Sequence, residues 1–66
     1  MRLTIYLQNI RREDDGTINN TRSFKNVKRQ DIHGIVKQLL KDEKLHNRHI
    51  KKVEFNGRLV TDIKYD

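Results

Sequence analysis

The 66-residue chain has no cysteine, proline, tryptophan or alanine, one serine and three isolated glycines. Without cysteine there is no disulfide, no thiolate zinc site and no thiol nucleophile. A domain this short buries a small share of its surface and usually needs a staple, an oligomer or very good packing. No apolar run approaches the roughly 20 residues of a membrane span. Residues 1–10 are apolar only at alternate positions, and Arg11 and Arg12 follow them. A secretory signal has charge first and a continuous apolar run next, so the expected location is cytoplasmic, with no membrane partner. The glycines form no phosphate-binding loop, and Ser23 has no evident base. With no cleft to hold an acid–base pair, no catalytic residue, cofactor or enzyme activity is expected. His46 and His49 are three apart with His33 distant, and two ligands do not make a zinc site.

What is abundant is Ile, Asn and Lys, at seven, six and eight residues. These have AT-rich codons, which suggests an AT-rich genome and is compatible with a phage or mobile-element product. Charge is uneven. Residues 22–52 hold ten Lys/Arg and three Asp/Glu, or +7, and the remainder holds five and six, or −1, consistent with the total of +6. Such asymmetry points to an acidic partner surface, either phosphate or an acidic protein.

The pattern predicts one α+β domain of order β-β-α-β-β. Leu3, Ile5 and Leu7 alternate as on a half-buried strand. Asp15–Gly16 signals a hairpin turn, giving strands over about 2–12 and 17–25 with Leu7 opposite Phe24. The polar outer half of that hairpin predicts a projecting arm. Ile32, Ile35, Val36, Leu39 and Leu40 form one apolar stripe, predicting a helix over about 29–44 with Asp31 or Asn26 as cap. Leu45 to His49 read as a polar loop. Asn56–Gly57 marks a second hairpin between strands at about 50–55 and 59–65. A three-residue loop, Asn56-Gly57-Arg58, would place Val53, Phe55, Leu59 and Ile63 on one face, which burial favours. The helix is expected on one face of a mostly antiparallel four-stranded sheet.

This hairpin–helix–strand order, with the strand Lys52-Val53-Glu54-Phe55-Asn56-Gly57-Arg58-Leu59-Val60, resembles the β-grasp, ubiquitin-like layout at the level of topology. The resemblance implies a partner-binding module and carries over no site residue. The final strand that runs beside the first in β-grasp domains has a counterpart here only if residues 61–65 take that place.

Two surfaces stand out as candidates. On a helical wheel His33, Lys44, Lys37 and Lys41 lie about 100° to 180° from Ile32, with Asp31 and Asp42 on the other flank. Arg48, Lys51 and Lys52, with His49, extend this cationic stripe beyond the helix, where it could follow a phosphate backbone. Lysines that simply solvate a helix face give the same pattern. Gly34, on the exposed face, is compatible with close approach of a partner or with a tolerated bend. The hairpin arm, with Arg11, Arg12 and Arg22 around a polar ribbon, fits the dimensions of a DNA major groove. Against that reading stand Glu13, Asp14 and Asp15 at its tip. No aromatic platform for single strands is evident, since only Tyr6 and Tyr65 are candidates for exposure. The expectation is a small basic binding protein, either a nucleic-acid-binding accessory factor or a protein-interaction module, with homodimerisation through sheet edges as a special case.

Overall fold

The computed structural model describes residues 1–8 and 20–62. Its elements are β1 (Leu3–Leu7), β2 (Thr21–Phe24), α1 (Ile32–Asp42), β3 (Ile50–Phe55) and β4 (Arg58–Leu59), with single 3₁₀ turns at Arg29–Asp31 and Asn47–His49. The sheet order is β2-β1-β3-β4, every neighbouring pair antiparallel. Because β2 and β3 both run opposite to β1, they are parallel to each other, and α1 carries the chain from one to the other. The result is an α+β fold with, among the described residues, one α-helix and a four-stranded antiparallel sheet. Among the described residues, the strand on the other side of β1 from β2 is β3. Residues 61 and 62 lie in no strand, and the remainder of the expected last strand, 63–66, is outside the described residues, as is Ile63. No described helix is long and apolar enough to cross a membrane.

The core is the meeting of two periodicities. The period-2 positions of β1, Leu3, Ile5 and Leu7, are almost fully buried. So are Ile32 and Val36 from the helix stripe and Val53 from β3, while Leu40 and Val27 complete the buried set. Ile35 and Leu39 flank it half-buried, together with Phe24, Leu45, Ile50, Phe55 and Val60. Val27 and Leu45 sit in connections that look polar in sequence, and both contribute to the apolar cluster.

The first hairpin keeps the expected faces and shifts its register. Leu3, not Leu7, lies opposite Phe24, and Ile5 lies opposite Arg22. The shift from expectation is four residues. An even slip preserves which side chains face the core, so alternation alone cannot detect it. The strands are correspondingly shorter than 2–12 and 17–25. Residues 9–19, which hold the predicted turn and arm, are outside the described residues.

α1 begins from the 3₁₀ turn. Asp31 occupies the position before the helix, but at φ −95°, ψ −5° its side chain makes no capping hydrogen bond. An extended backbone there is what lets a capping carboxylate reach back. Asn26 does not cap either; it takes a left-handed φ of 58° after β2. The other end is closed by a Schellman motif. The Leu45 N–H donates to the Leu40 carbonyl and the Lys44 N–H to that of Lys41. Lys44 therefore has a left-handed φ of 58° and leaves the helical wheel on which it lined up with Lys37. Leu45, one residue on, returns to the core.

The second hairpin is tighter than predicted. Phe55 pairs with Arg58 and Glu54 with Leu59, so the loop is the two residues Asn56 and Gly57. Their φ angles of 53° and 82° are those of a type I′ turn, whose twist matches that of the flanking strands. This puts Leu59 on the open face of the sheet, 58% exposed. Val60 takes its place on the core side, bonded through its N–H to the Val53 carbonyl. The turn chemistry outweighs burial of Leu59 because Val60 supplies an apolar side chain in the same register.

A left-handed lysine is strained by about 1–2 kcal/mol relative to glycine, partly offset by glycine's greater freedom when unfolded. Lys44→Gly is therefore expected to stabilise the domain by about 0.5–1 kcal/mol and raise the thermal midpoint by about 4 °C. Circular dichroism melting checks this.

Candidate functional site

The described carboxylates are largely occupied by the fold itself. Arg22, opposite Ile5 on the helix-facing side of β2, reaches the C-terminal end of α1. There its Nε donates to Glu43 Oε2 and its Nη2 to Oε1, each at 2.8 Å. Nη1 donates to the Thr21 carbonyl at 3.1 Å. This bidentate fork ties the edge strand to the helix end, where a cation also suits the helix dipole. It lowers the Glu43 pKa, first through the hydrogen bonds from Arg22, against a smaller opposing effect of burial. Arg22, anticipated on a projecting ribbon, is thus placed at the interface of sheet and helix.

Arg29 donates one hydrogen bond, from Nη2 to Asp62 Oδ2, joining the turn before α1 to the segment after β4 through an exposed pair. The hydrogen bond from Arg29 holds the Asp62 carboxyl below its usual range. On the open face of the sheet, Lys52 Nζ lies 3.7 Å from Glu54 Oε2 and 4.7 Å from the centre of the Tyr6 ring. The Tyr6 hydroxyl donates to Glu54 Oε1 at 3.1 Å, which raises the phenol pKa. Lys52 is therefore engaged on the side of the sheet away from α1.

Of the five described carboxylates, Glu43, Glu54 and Asp62 are ion-paired, leaving Asp31 and Asp42. Asp42 accepts a hydrogen bond from Gln38 Nε2 at 2.8 Å. Of the twelve described Lys and Arg residues, Arg22, Arg29 and Lys52 are paired. The other nine are Arg2, Lys25, Lys28, Lys37, Lys41, Lys44, Arg48, Lys51 and Arg58. All nine are exposed and none forms an ion pair with a described residue.

The predicted stripe divides accordingly. Lys37 and Lys41, four residues apart on α1, point away from the sheet because Val36 and Leu40 point into it. Lys44, Arg48 and Lys51 belong to the following loop and the start of β3. Lys52 faces the other side. Arg11 and Arg12 are outside the described residues. Gly34 is exposed, and a Cβ atom there would meet nothing within 4 Å.

The loop after α1 is more ordered than its polar sequence suggests. The His46 N–H donates to His49 Nδ1 at 3.0 Å, and the His49 N–H to the His46 carbonyl at 2.9 Å. Their rings stack with centroids 5.9 Å apart and planes at 30°. Gln8, just beyond β1, holds this turn from below. Its Nε2 donates to the Arg48 carbonyl at 3.1 Å and its N–H to that of His49 at 2.8 Å. Sequence reasoning weighed these histidines as metal ligands and His49 also as part of the cationic stripe, not as a ring stack. The spacing i, i+3 was the available signal for contact, but ring stacking depends on the 3₁₀ turn, which the sequence does not announce.

A second feature lies on the opposite flank of the helix. Phe24, Ile35, Gln38, Leu39 and Asp42 line an open, mainly apolar groove of about 220 Å³ between β2 and α1. No protein-family model, curated protein or solved structure matches this chain.

The depressed Glu43 pKa has a defined consequence for acid stability. Its contribution is present above the ordinary glutamate range, near pH 4.3, and is lost as pH falls through the lower folded value. Glu43→Gln is expected to cost about 0.5–1 kcal/mol at pH 7, a modest figure because the pair is partly solvated. The gap between the variant and the parent should narrow as pH falls below the ordinary glutamate range and close only below the depressed folded pKa, where both side chains are neutral. Urea denaturation at a series of pH values measures it.

Proposed function

We propose that this protein is a nucleic-acid-binding accessory factor whose phosphate contacts come from the outward face of α1 and the loop that follows it. The observation that carries this reading is the disposition of charge. Folding uses three carboxylates internally and leaves nine exposed cations unpaired among the described residues. With only Asp31 and Asp42 unpaired beside these nine cations, the described surface presents a predominantly positive field to a polyanion. Lys37 and Lys41 rise about 6 Å apart along the helix and lead toward Lys44 and Arg48. Each phosphate they neutralise would release a counterion, making affinity strongly salt-dependent.

The rival reading, a protein-interaction module, draws on the apolar groove beside β2. A stoichiometric, nuclease-resistant protein partner would favour it.

Binding of labelled duplex and single-stranded oligonucleotides, measured at two salt concentrations, tests the proposal. The expected outcome is affinity that falls steeply with salt. The double variant Lys37→Gln/Lys41→Gln should weaken binding across sequences and reduce the slope of log K against log salt by about 1.8 on duplex or about 1.4 on single strands. Absent or salt-independent binding would overturn it.

A further inference from the structure

We infer that the loop from Lys44 to Lys51 is a nucleobase-stacking platform, so that the nucleic acid bound is single-stranded. This rests on the nucleic-acid reading above and identifies which form of the polymer the site takes. Residues 44–53 contain no carboxylate, and Lys44, Arg48 and Lys51 are exposed and unpaired among the described residues. In their midst His46 and His49 form a ring stack. His49 is the half-buried member and His46 the exposed one, so the outward ring face belongs to His46.

The stack is held before any ligand arrives. The hydrogen bond from the His46 N–H makes His49 Nδ1 an acceptor, fixing that imidazole as the tautomer protonated on Nε2. Gln8 pins the turn to the end of β1 through two carbonyls, and Leu45 anchors the preceding residue in the core. A loop ordered in advance loses little conformational entropy on binding. A planar imidazole surrounded by cations suits an unstacked base flanked by phosphates, the usual target of sequence recognition in single strands. In a duplex the bases are already stacked on one another, and the ring face would have nothing to receive.

Fluorescence anisotropy with the full chain, a labelled 12-nucleotide single strand and the corresponding duplex tests the assignment. His46→Ala should weaken single-strand binding about five- to tenfold while leaving its salt slope unchanged. His46→Phe should restore affinity, because it returns a planar face. Arg48→Gln should instead reduce the slope by about 0.7, the value for one phosphate contact on a single strand. Duplex binding should be insensitive to His46→Ala. If His46→Ala binds single strands as the parent does, or loses duplex binding equally, the platform is wrong while the charge-based reading stands. If the parent binds neither oligonucleotide, both are wrong. His46 is exposed, and melting of His46→Ala and His46→Phe alongside the parent separates loss of a contact from loss of fold.

Discussion

The contact between the apolar stripe of α1 and the inward face of β1 is the constraint on which the rest of this structure depends. β1 lies between β2 and β3, and its three inward side chains are the most deeply buried set on any strand. A fully buried aliphatic side chain is worth about 1.5–3 kcal/mol, and only a few such residues are available here to offset the ordering of the chain. With no disulfide to restrict the unfolded state, stability rests on this packing, and burial of Ile32, Val36 and Leu40 sets the orientation of the helix. Val36 and Leu40 must face the sheet, and Lys37 and Lys41 must then face water. The cationic helix surface is a by-product of apolar packing as much as a feature of composition.

The ion pairs act at the margins of that packing. Arg22 to Glu43 joins an edge strand to the end of the helix, and Arg29 to Asp62 joins the approach to α1 with the chain after β4. Lys52, Glu54 and Tyr6 make a small polar network on the uncovered sheet face. Each pair is partly or fully solvated, so its contribution to stability is small. Their larger effect is on the surface field. Each pair removes one cation with one carboxylate and leaves the net charge unchanged; among the described residues nine exposed cations then stand unpaired beside Asp31 and Asp42.

Order in the loop after α1 comes from its neighbours. The Schellman closure turns the chain at Lys44, Leu45 inserts into the core, and Gln8 bonds the carbonyls of Arg48 and His49. A polar segment with only nearest-neighbour contacts would sample many conformers. Tethered at both ends and from beneath, this one presents a defined ring stack in a basic surrounding.

Much of this architecture is legible from residue order alone. The 3.6-residue stripe from Ile32 to Leu40, the alternation of Leu3, Ile5 and Leu7, and the Asn-Gly turn each reflect a local backbone period or a left-handed requirement, and such local preferences do not need distant residues to express them. The class of the fold and the basic helix face follow from them. Tertiary structure alone decided the register of the first hairpin, because alternation is indifferent to an even slip. It decided the exchange of Leu59 for Val60, since two apolar neighbours compete for one face and the turn geometry chooses between them. It also decided which charges are spent: Arg22 and Lys44 look alike as cations in the sequence, yet Arg22 is held by Glu43 across the fold and Lys44 is left outside. Pairing of that kind depends on residues brought together over long chain separations, and no local pattern encodes it.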